Sequence, residues 1–330
     1  VVLIASSSGN GGIGSVGWPS ACPKVYAVGA TNGTDRRSSY SSTNQYVAFS
    51  APGGEYSDWN GDGVDDLLVC AYRSDEGGYD RGHVGFFSGA HLGQRGTRSM
   101  ADADVKIFGE VAGDRMGHSV NWAGDVDGDG IADLVTGSHL HTSSSGIDTA
   151  GRTYLMLSGN LERGEDLFMT DAADYIWEGE QSGDESGKRT VFAGDIDGDG
   201  MADIATVSLR NQDNGSGDDV DGERRGSGKF YIILSGDIHA TPPGTIAQLA
   251  DVGLAWMGEW GGDALGYGVD SMGDFDGDGL DDLSAGSFGN SENAFYAGKS
   301  YVITSADMPE DGMRSVAEAS YNFIGESDND

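Results

Sequence analysis

Cysteine is almost missing from this chain of 330 residues: Cys22 and Cys70 are the only two. At most one internal disulfide is possible, which excludes a small disulfide-stapled scaffold, and the pair is too small a set for a zinc site. Both are expected to be buried thiols. Basic residues are scarce as well, 19 against 54 acidic ones, giving a formal net charge of −35. A surface this acidic repels phosphate backbones and anionic lipid, so nucleic acid is excluded as a partner, and so is docking to a membrane surface. No run approaches the roughly 18 apolar residues that a membrane-spanning helix requires, so membrane insertion is excluded too. Proline is limited to six residues. The chain opens on Val1-Val2-Leu3-Ile4 rather than on methionine, and the start of the gene product is expected upstream.

What the chain does contain is glycine, 56 residues of it, together with 37% hydrophobic and 9% aromatic residues. That apolar content suffices for a core, so the acidity does not imply disorder. Abundant Gly, Asp, Ser and Asn predict many tight turns between short strands. Four segments share one pattern: DWNGDGVDDLLV from Asp58, DVDGDGIADLVT from Asp125, DIDGDGMADIAT from Asp195 and DFDGDGLDDLSA from Asp274. Their starts lie 67, 70 and 79 residues apart, about one propeller blade with its loops. The likeness extends upstream, in FGEVAGDRMGHSVNWAGD, WEGEQSGDESGKRTVFAGD and MGEWGGDALGYGVDSMGD, and downstream, in GRTYLMLSG, GKFYIILSG and GKSYVITSA. The opening recurs as YNFIGESDND at residues 321–330.

In the second repeat, SVNWAG, ADLVTGS, RTYLMLSG and DYIWEGE read as four strands of 5–8 residues bounded by Gly and Asp. No stretch of the repeats carries a helical period. Four short strands cannot cover both of their faces, so the repeats must pack face to face, and the fold class expected is an all-β propeller of four-stranded blades.

Each acidic loop offers side-chain oxygens at positions 1, 3, 5 and 9 and a backbone carbonyl at position 7. The sets are Asp58, Asn60, Asp62, Val64 and Asp66; Asp125, Asp127, Asp129, Ile131 and Asp133; Asp195, Asp197, Asp199, Met201 and Asp203; and Asp274, Asp276, Asp278, Leu280 and Asp282. Glycines at positions 4 and 6 let the loop curl until alternate carboxylates converge, and converging carboxylates require a divalent cation. Oxygen donors favour Ca²⁺, so three to four Ca²⁺ ions are expected, the first loop binding less tightly because Asn60 replaces a carboxylate. An EF-hand is excluded at position 12, where Val69, Thr136, Thr206 and Ala285 stand in place of a bidentate Glu. A cellulosome dockerin fails for the same reason, and because strand-like residues follow the loop instead of a helix.

These motifs, the F/W-x-G-E-x-x-G-D opening, the A-G-D-x-D-G-D-G-x-x-D-L core and the G-x-x-Y-x-x-L-S-G closure, resemble the FG-GAP repeats of integrin α amino-terminal propellers and of many secreted bacterial proteins. The resemblance covers residues 58–330. It implies that each calcium loop joins the innermost strand of a blade to the next, and that the F-x-G-E segment is the outermost strand of the preceding blade. On that count YNFIGE completes a fourth blade, the first blade lacks a recognisable innermost strand, and about four blades form an incomplete ring in a family that usually closes with seven. Such a module is expected outside a bacterial cell, secreted or on its surface, holding an extracellular protein or glycan on the loops of one face.

Residues 1–54 lack the repeat. Their order, VVLIASSSGN, WPSACPKVYAVGAT, RRSSYSS and VAFSAPGG, resembles the part of subtilisin-like serine proteases (subtilases) that runs from the oxyanion-hole Asn to the Ala-Pro-Gly stretch. The domains expected are therefore 1–54, an α/β subtilase-like remnant, and 55–330, the propeller, with calcium loops at 58–66, 125–133, 195–203 and 274–282. The resemblance makes Asn10 the oxyanion donor. No catalytic Asp or His segment precedes it, and GTRSMA at 96–101 departs from the family's Ser segment through Arg98 and the missing Pro, so Ser99 is read as a coincidence. Two functions follow: a secreted, calcium-stabilised binding or adhesion module without a complete catalytic set, or part of a secreted subtilisin-like endopeptidase whose catalytic Asp, His and Ser lie outside this chain. Some subtilases carry a D-x-N-G-D-G insertion just after A-P-G-G, so APGGEYSDWNGDGVDD could belong to either family. His139 and His141 are read as residues at a strand end, and 211–226 as a polar insertion in the third repeat.

Overall fold

A computed structural model of the chain describes residues 4–7, 25–28, 48–50, 58–92, 97–158, 166–213, 216–218, 224–309 and 312–327. Asn10 and Cys22 lie outside the described residues. Four consecutive antiparallel sheets make up the blades of a β-propeller. The second blade runs outward as Val120–Gly124, Asp133–Ser138, Arg152–Met156 and Tyr175–Glu178, which are the four strands its sequence predicts. The third blade repeats this with Ser186–Gly194, Asp203–Ser208, Lys229–Ile233 and Leu254–Met257, and the fourth with Leu265–Gly273, Asp282–Ser287, Lys299–Ile303 and Tyr321–Ile324. The innermost strands neighbour one another in chain order.

The first blade holds Leu67–Cys70, His83–Phe87 and Val105–Phe108, and its innermost place is filled by Ala48–Ser50. That corrects the expectation of a first blade without an innermost strand. Residues 48–50 carry the AFS of VAFSAPGG rather than the acidic repeat's own pattern, yet Phe49 pairs in register with Val69. A second difference is a fifth, parallel strand on three sheets: Asp166–Phe168 lies along Val105–Phe108, Ile246–Gln248 along Tyr175–Glu178, and Gly312–Ser315 along Leu254–Met257. These are three- or four-residue pieces of the connection between the third and fourth strands of the following blade, too short to show a period. Ahead of the blades, Ile4–Ser7 pairs in parallel with Val25–Val28.

Packing between blades follows the two-residue period of a strand. In Lys229–Ile233, Phe230 and Ile232 enter the core shared with the fourth blade, whereas Tyr231 and Ile233 enter the core shared with the second. Both faces are covered, so all five residues are buried, and after Lys229 the strand reads as a continuous apolar run. Cys70 is buried in the core between the first and second blades.

Polar contacts join the blades at the end opposite the acidic loops. The Glu of each of the first three repeat openings, Glu110, Glu180 and Glu259, reaches the strand of the next blade that begins G-[Arg/Lys]-x-Tyr. Arg152 Nη1 donates to both oxygens of Glu110 at 2.7 and 2.8 Å. Lys229 Nζ donates to Glu180 at 2.8 Å, and Lys299 Nζ to Glu259 at 2.7 Å. Tyr231 adds its hydroxyl to Glu180 at 2.8 Å; burial, then the Glu180 charge, holds that phenol above its ordinary range, so it remains a donor. The Asp that ends the same motif closes the loop into the new blade: Asp114, Asp184 and Asp263 accept from the backbone three residues back at 3.0–3.2 Å. Each also takes a partner from the loop after its blade's second strand, namely His141, Asn211 and Asn290. His139 and His141 follow the strand Asp133–Ser138 directly and are both buried; His141 serves this junction, and the His139 ring packs edge-on against His118.

The Glu180–Lys229 pair is nearly buried, so replacing one partner leaves a charge without compensation. Lys229→Met is expected to lower the unfolding free energy by about 2–4 kcal/mol, measured by urea denaturation. Glu180→Gln/Lys229→Met should recover part of that loss, and additive effects of the two changes would show that they do not interact.

Candidate metal centres

The four acidic loops all lie between the innermost and second strands of their blades. A bulge leads into each of the last three, at Gly124, Gly194 and Gly273, where φ is +75°, +92° and +66° and the strand register slips by one residue. The glycines at positions 4 and 6 then take left-handed φ, +77° and +86° at Gly128 and Gly130, +78° and +89° at Gly198 and Gly200. Any L side chain is strained there. The curl is held by the position 1 carboxylate, for Asp125 Oδ1 accepts from the Gly128 N–H at 2.7 Å and Oδ2 from Gly130 at 2.9 Å. Asp195 and Asp274 repeat both bonds.

This curl brings ligand atoms of Asp125, Asp127 and Asp133 within 4.8 Å of one another. The same holds for Asp195, Asp197 and Asp199, and for Asp274, Asp276 and Asp282. The remaining carboxylates, Asp129, Asp203 and Asp278, stand in the same loops but outside these groupings. Among the described residues the first loop forms no such triad; Asn60 holds its third position, with Asp58, Asp62 and Asp66 around it and Val64 at position 7. Of the other position 7 residues, Ile131, Met201 and Leu280, each donates its N–H to the position 5 carboxylate at 2.8–2.9 Å. An all-oxygen donor set on a loop of this length fits a hard divalent cation, with no soft ligand to favour zinc or copper. The clusters of metal-binding side chains among the described residues contain no histidine.

The position 9 aspartates are the most enclosed members. Asp133 and Asp203 are wholly buried, and burial pushes both carboxyls up to about 7 against the opposing pull of backbone N–H donors. Asp127 and Asp197 are raised too, first by burial and then by the neighbouring carboxylates. A cation among these groups would offset the repulsion that raises them.

Sequence reasoning missed the serine of the L-S-G closure. Ser158 Oγ donates to Asp129 Oδ2 at 3.2 Å, and Ser235 and Ser305 donate to Asp199 and Asp278 at 2.7 Å each. The signal was present, since a serine follows each third strand in step with the acidic loop. Ser99, by contrast, caps the short helical turn Met100–Asp102 through the Ala101 N–H and has no part in any of these sites.

Adjacent loops also touch. Ala202 N–H donates to the Asp125 carbonyl at 2.9 Å and Asp281 N–H to the Asp195 carbonyl at 3.0 Å. The position 7 side chain of one loop covers the position 4 glycine of the loop before it: a Cβ on Gly198 would stand 2.8 Å from Leu280 Cδ2.

Blades whose innermost strands sit side by side, each followed by an acidic loop, define a propeller built from a repeated acidic-loop unit. Residues 116–156 match the family model described as FG-GAP repeat, which spans the second blade's first three strands and its loop. Residues 1–84 match the Subtilase family, a match that runs on through the first acidic loop. The chain therefore carries FG-GAP repeats of the integrin α type, with a subtilase-type segment ahead of them. It is 27% identical over 282 residues to integrin alpha-5 of Xenopus laevis, an alignment covering 83% of this chain and 23% of that protein. Integrin alpha-PS2 of Drosophila melanogaster is 26% identical over 61% of this chain and 13% of its own length, and integrin alpha-IIb of Homo sapiens 27% over 62% and 18%. The chain thus spans less than a quarter of the length of each of these relatives.

Gly200 has open space around a would-be Cβ, whereas Gly198 does not. Gly200→Ala is therefore expected to cost about 1–2 kcal/mol from backbone strain alone, and Gly198→Ala more, because Leu280 must also move. Chemical denaturation in the presence of EDTA measures both without a metal contribution, and equal costs would contradict the contact between loops.

Proposed function

We propose that this chain is a secreted, calcium-binding FG-GAP propeller module that serves as a binding or adhesion platform, with calcium in a structural role. The observation that carries this reading is the recurrence of three aspartate triads, each with its oxygens within 4.8 Å, at the same place in three successive blades. Three to four Ca²⁺ ions are the expected complement, held by the carboxylates at positions 1, 3, 5 and 9 and the position 7 carbonyls. Each ion neutralises carboxylates that otherwise repel and ties the innermost strand to the second. The similarity to integrin α chains supports an extracellular place and an extracellular protein or glycan as the ligand. Among the described residues no helix is long and apolar enough to cross a membrane.

Calcium that binds only the folded chain stabilises it by about 2.7 kcal/mol per site at a hundred times its dissociation constant. Scanning calorimetry in millimolar Ca²⁺ and in EDTA is expected to show a melting temperature lower by many degrees in EDTA. An unchanged melting temperature would overturn the structural role.

The Subtilase match over residues 1–84 favours a second reading, in which this chain is part of a subtilisin-like endopeptidase and Asn10 belongs to its oxyanion hole. The catalytic Asp, His and Ser would then lie outside the chain, and the purified chain should not hydrolyse casein. Inhibitor-sensitive turnover by it would place a complete catalytic set within these residues.

A further inference from the structure

We propose that Ser158, Ser235 and Ser305 are positioning residues of the second, third and fourth cation loops, so that the turn after each blade's third strand is a working part of the site. The inference rests on the reading that these loops hold a divalent cation. Each serine grips two ligand positions at once. Its hydroxyl donates to Oδ2 of the position 5 aspartate, at 3.2 Å for Ser158 and 2.7 Å for Ser235 and Ser305. Its backbone N–H donates to Oδ1 of the position 9 aspartate, at 2.7, 2.9 and 2.8 Å.

The position 5 carboxylate thereby has both oxygens assigned, because its Oδ1 already accepts the position 7 N–H. A carboxylate held at both oxygens cannot turn about its Cβ–Cγ bond, and its remaining lone pairs keep a fixed orientation. Hydroxyl donation to a carboxylate is a charge-assisted bond, and outer partners of this kind set how well a metal ligand is presented.

The first repeat shows what happens without such a serine. Gly89 occupies the equivalent place and supplies only its N–H, to Asp66 Oδ1 at 3.0 Å. A side chain is barred there, for a Cβ would stand 2.0 Å from the Asp65 carbonyl oxygen. The hydroxyl comes instead from Ser88, one residue earlier, at 3.4 Å from Asp62 Oδ2, and that hydroxyl also accepts from Asn60 Nδ2 at 3.1 Å. The loop with an amide at position 3 is thus also the loop with the long, shared hydroxyl contact, and it is the weakest of the four sites.

The test is titration of the metal-free chain with CaCl₂ by calorimetry, on the wild type, on Ser158→Ala, Ser235→Ala and Ser305→Ala separately, and on Ser235→Thr. Each alanine variant is expected to weaken one site about 10–100-fold. Its melting temperature in EDTA should stay near that of the wild type, since the backbone N–H bond to position 9 survives the substitution. Ser235→Thr keeps the hydroxyl and should keep the affinity. A wild type that takes up no Ca²⁺ overturns the underlying cation reading. Wild-type binding with unchanged affinity in all three alanine variants overturns the positioning role alone. So does a loss of melting temperature in EDTA as large as that in Ca²⁺, which marks the hydroxyl as merely structural; three separate sites keep the test decisive should one variant fail to fold.

Discussion

The buried carboxylate at position 9 is the constraint on which each blade's geometry turns. Asp133 sits at the first residue of its blade's second strand, wholly out of contact with solvent, and its two oxygens face different parts of the chain. Oδ2 accepts the N–H of Val126, early in its own loop, and Oδ1 accepts the N–H of Ser158, after the third strand. Asp203 and Asp282 do the same with Ile196 and Ser235, and with Phe275 and Ser305. A buried acid of this kind is costly when charged, and its backbone partners offset only part of the cost, so Asp133 and Asp203 are held at about 7. The loop cannot relax away from that carboxylate without leaving three strands unanchored. It must therefore curl, and the curl is what crowds the other acids together.

The two ends of the blades are fastened by different chemistry. At the loop end, acidic groups meet backbone N–H donors and their own like charges, an arrangement that gains from an added cation. At the opposite end the motif glutamates are already matched by the chain's few cations: Glu110 with Arg152, Glu180 with Lys229 and Glu259 with Lys299. A chain with 19 basic residues against 54 acidic ones cannot neutralise both ends from its own side chains. The scarcity of Lys and Arg and the crowding of Asp in the loops are two sides of one distribution, and an external divalent ion suits the end left unmatched.

Much of the propeller was legible because its signals are local. The alternation of short apolar runs with Gly and Asp fixed the strands of the second blade to within three residues at each end, and the position of the acidic loop fixed which strands it joins. The contacts between blades were less legible. Glu180 and Lys229 are 49 residues apart in sequence, and nothing in either motif alone says that the Glu of one blade meets the Lys of the next. The serine of L-S-G belongs to the same category. In sequence it ends a strand, and only the fold brings its hydroxyl to a carboxylate 36 residues earlier in the third blade.

The first repeat shows where motif reading fails for a physical reason. Its innermost strand is Ala48–Ser50, drawn from a stretch whose residues resemble another family, because strand pairing needs backbone N–H and C=O groups in register and places little demand on side chains. The ladder from Ala48 with Cys70 to Ser50 with Leu68 is satisfied by a sequence that carries none of the repeat's markers. Ligand geometry is less tolerant. With Asn60 in the loop and Gly89 after the third strand, this repeat keeps the backbone contact to Asp66 while the hydroxyl contact is displaced by one residue. The blade architecture therefore survives changes that the acidic loop does not absorb, and sequence divergence in this chain should disturb the convergence of the loop carboxylates before it disrupts the sheet.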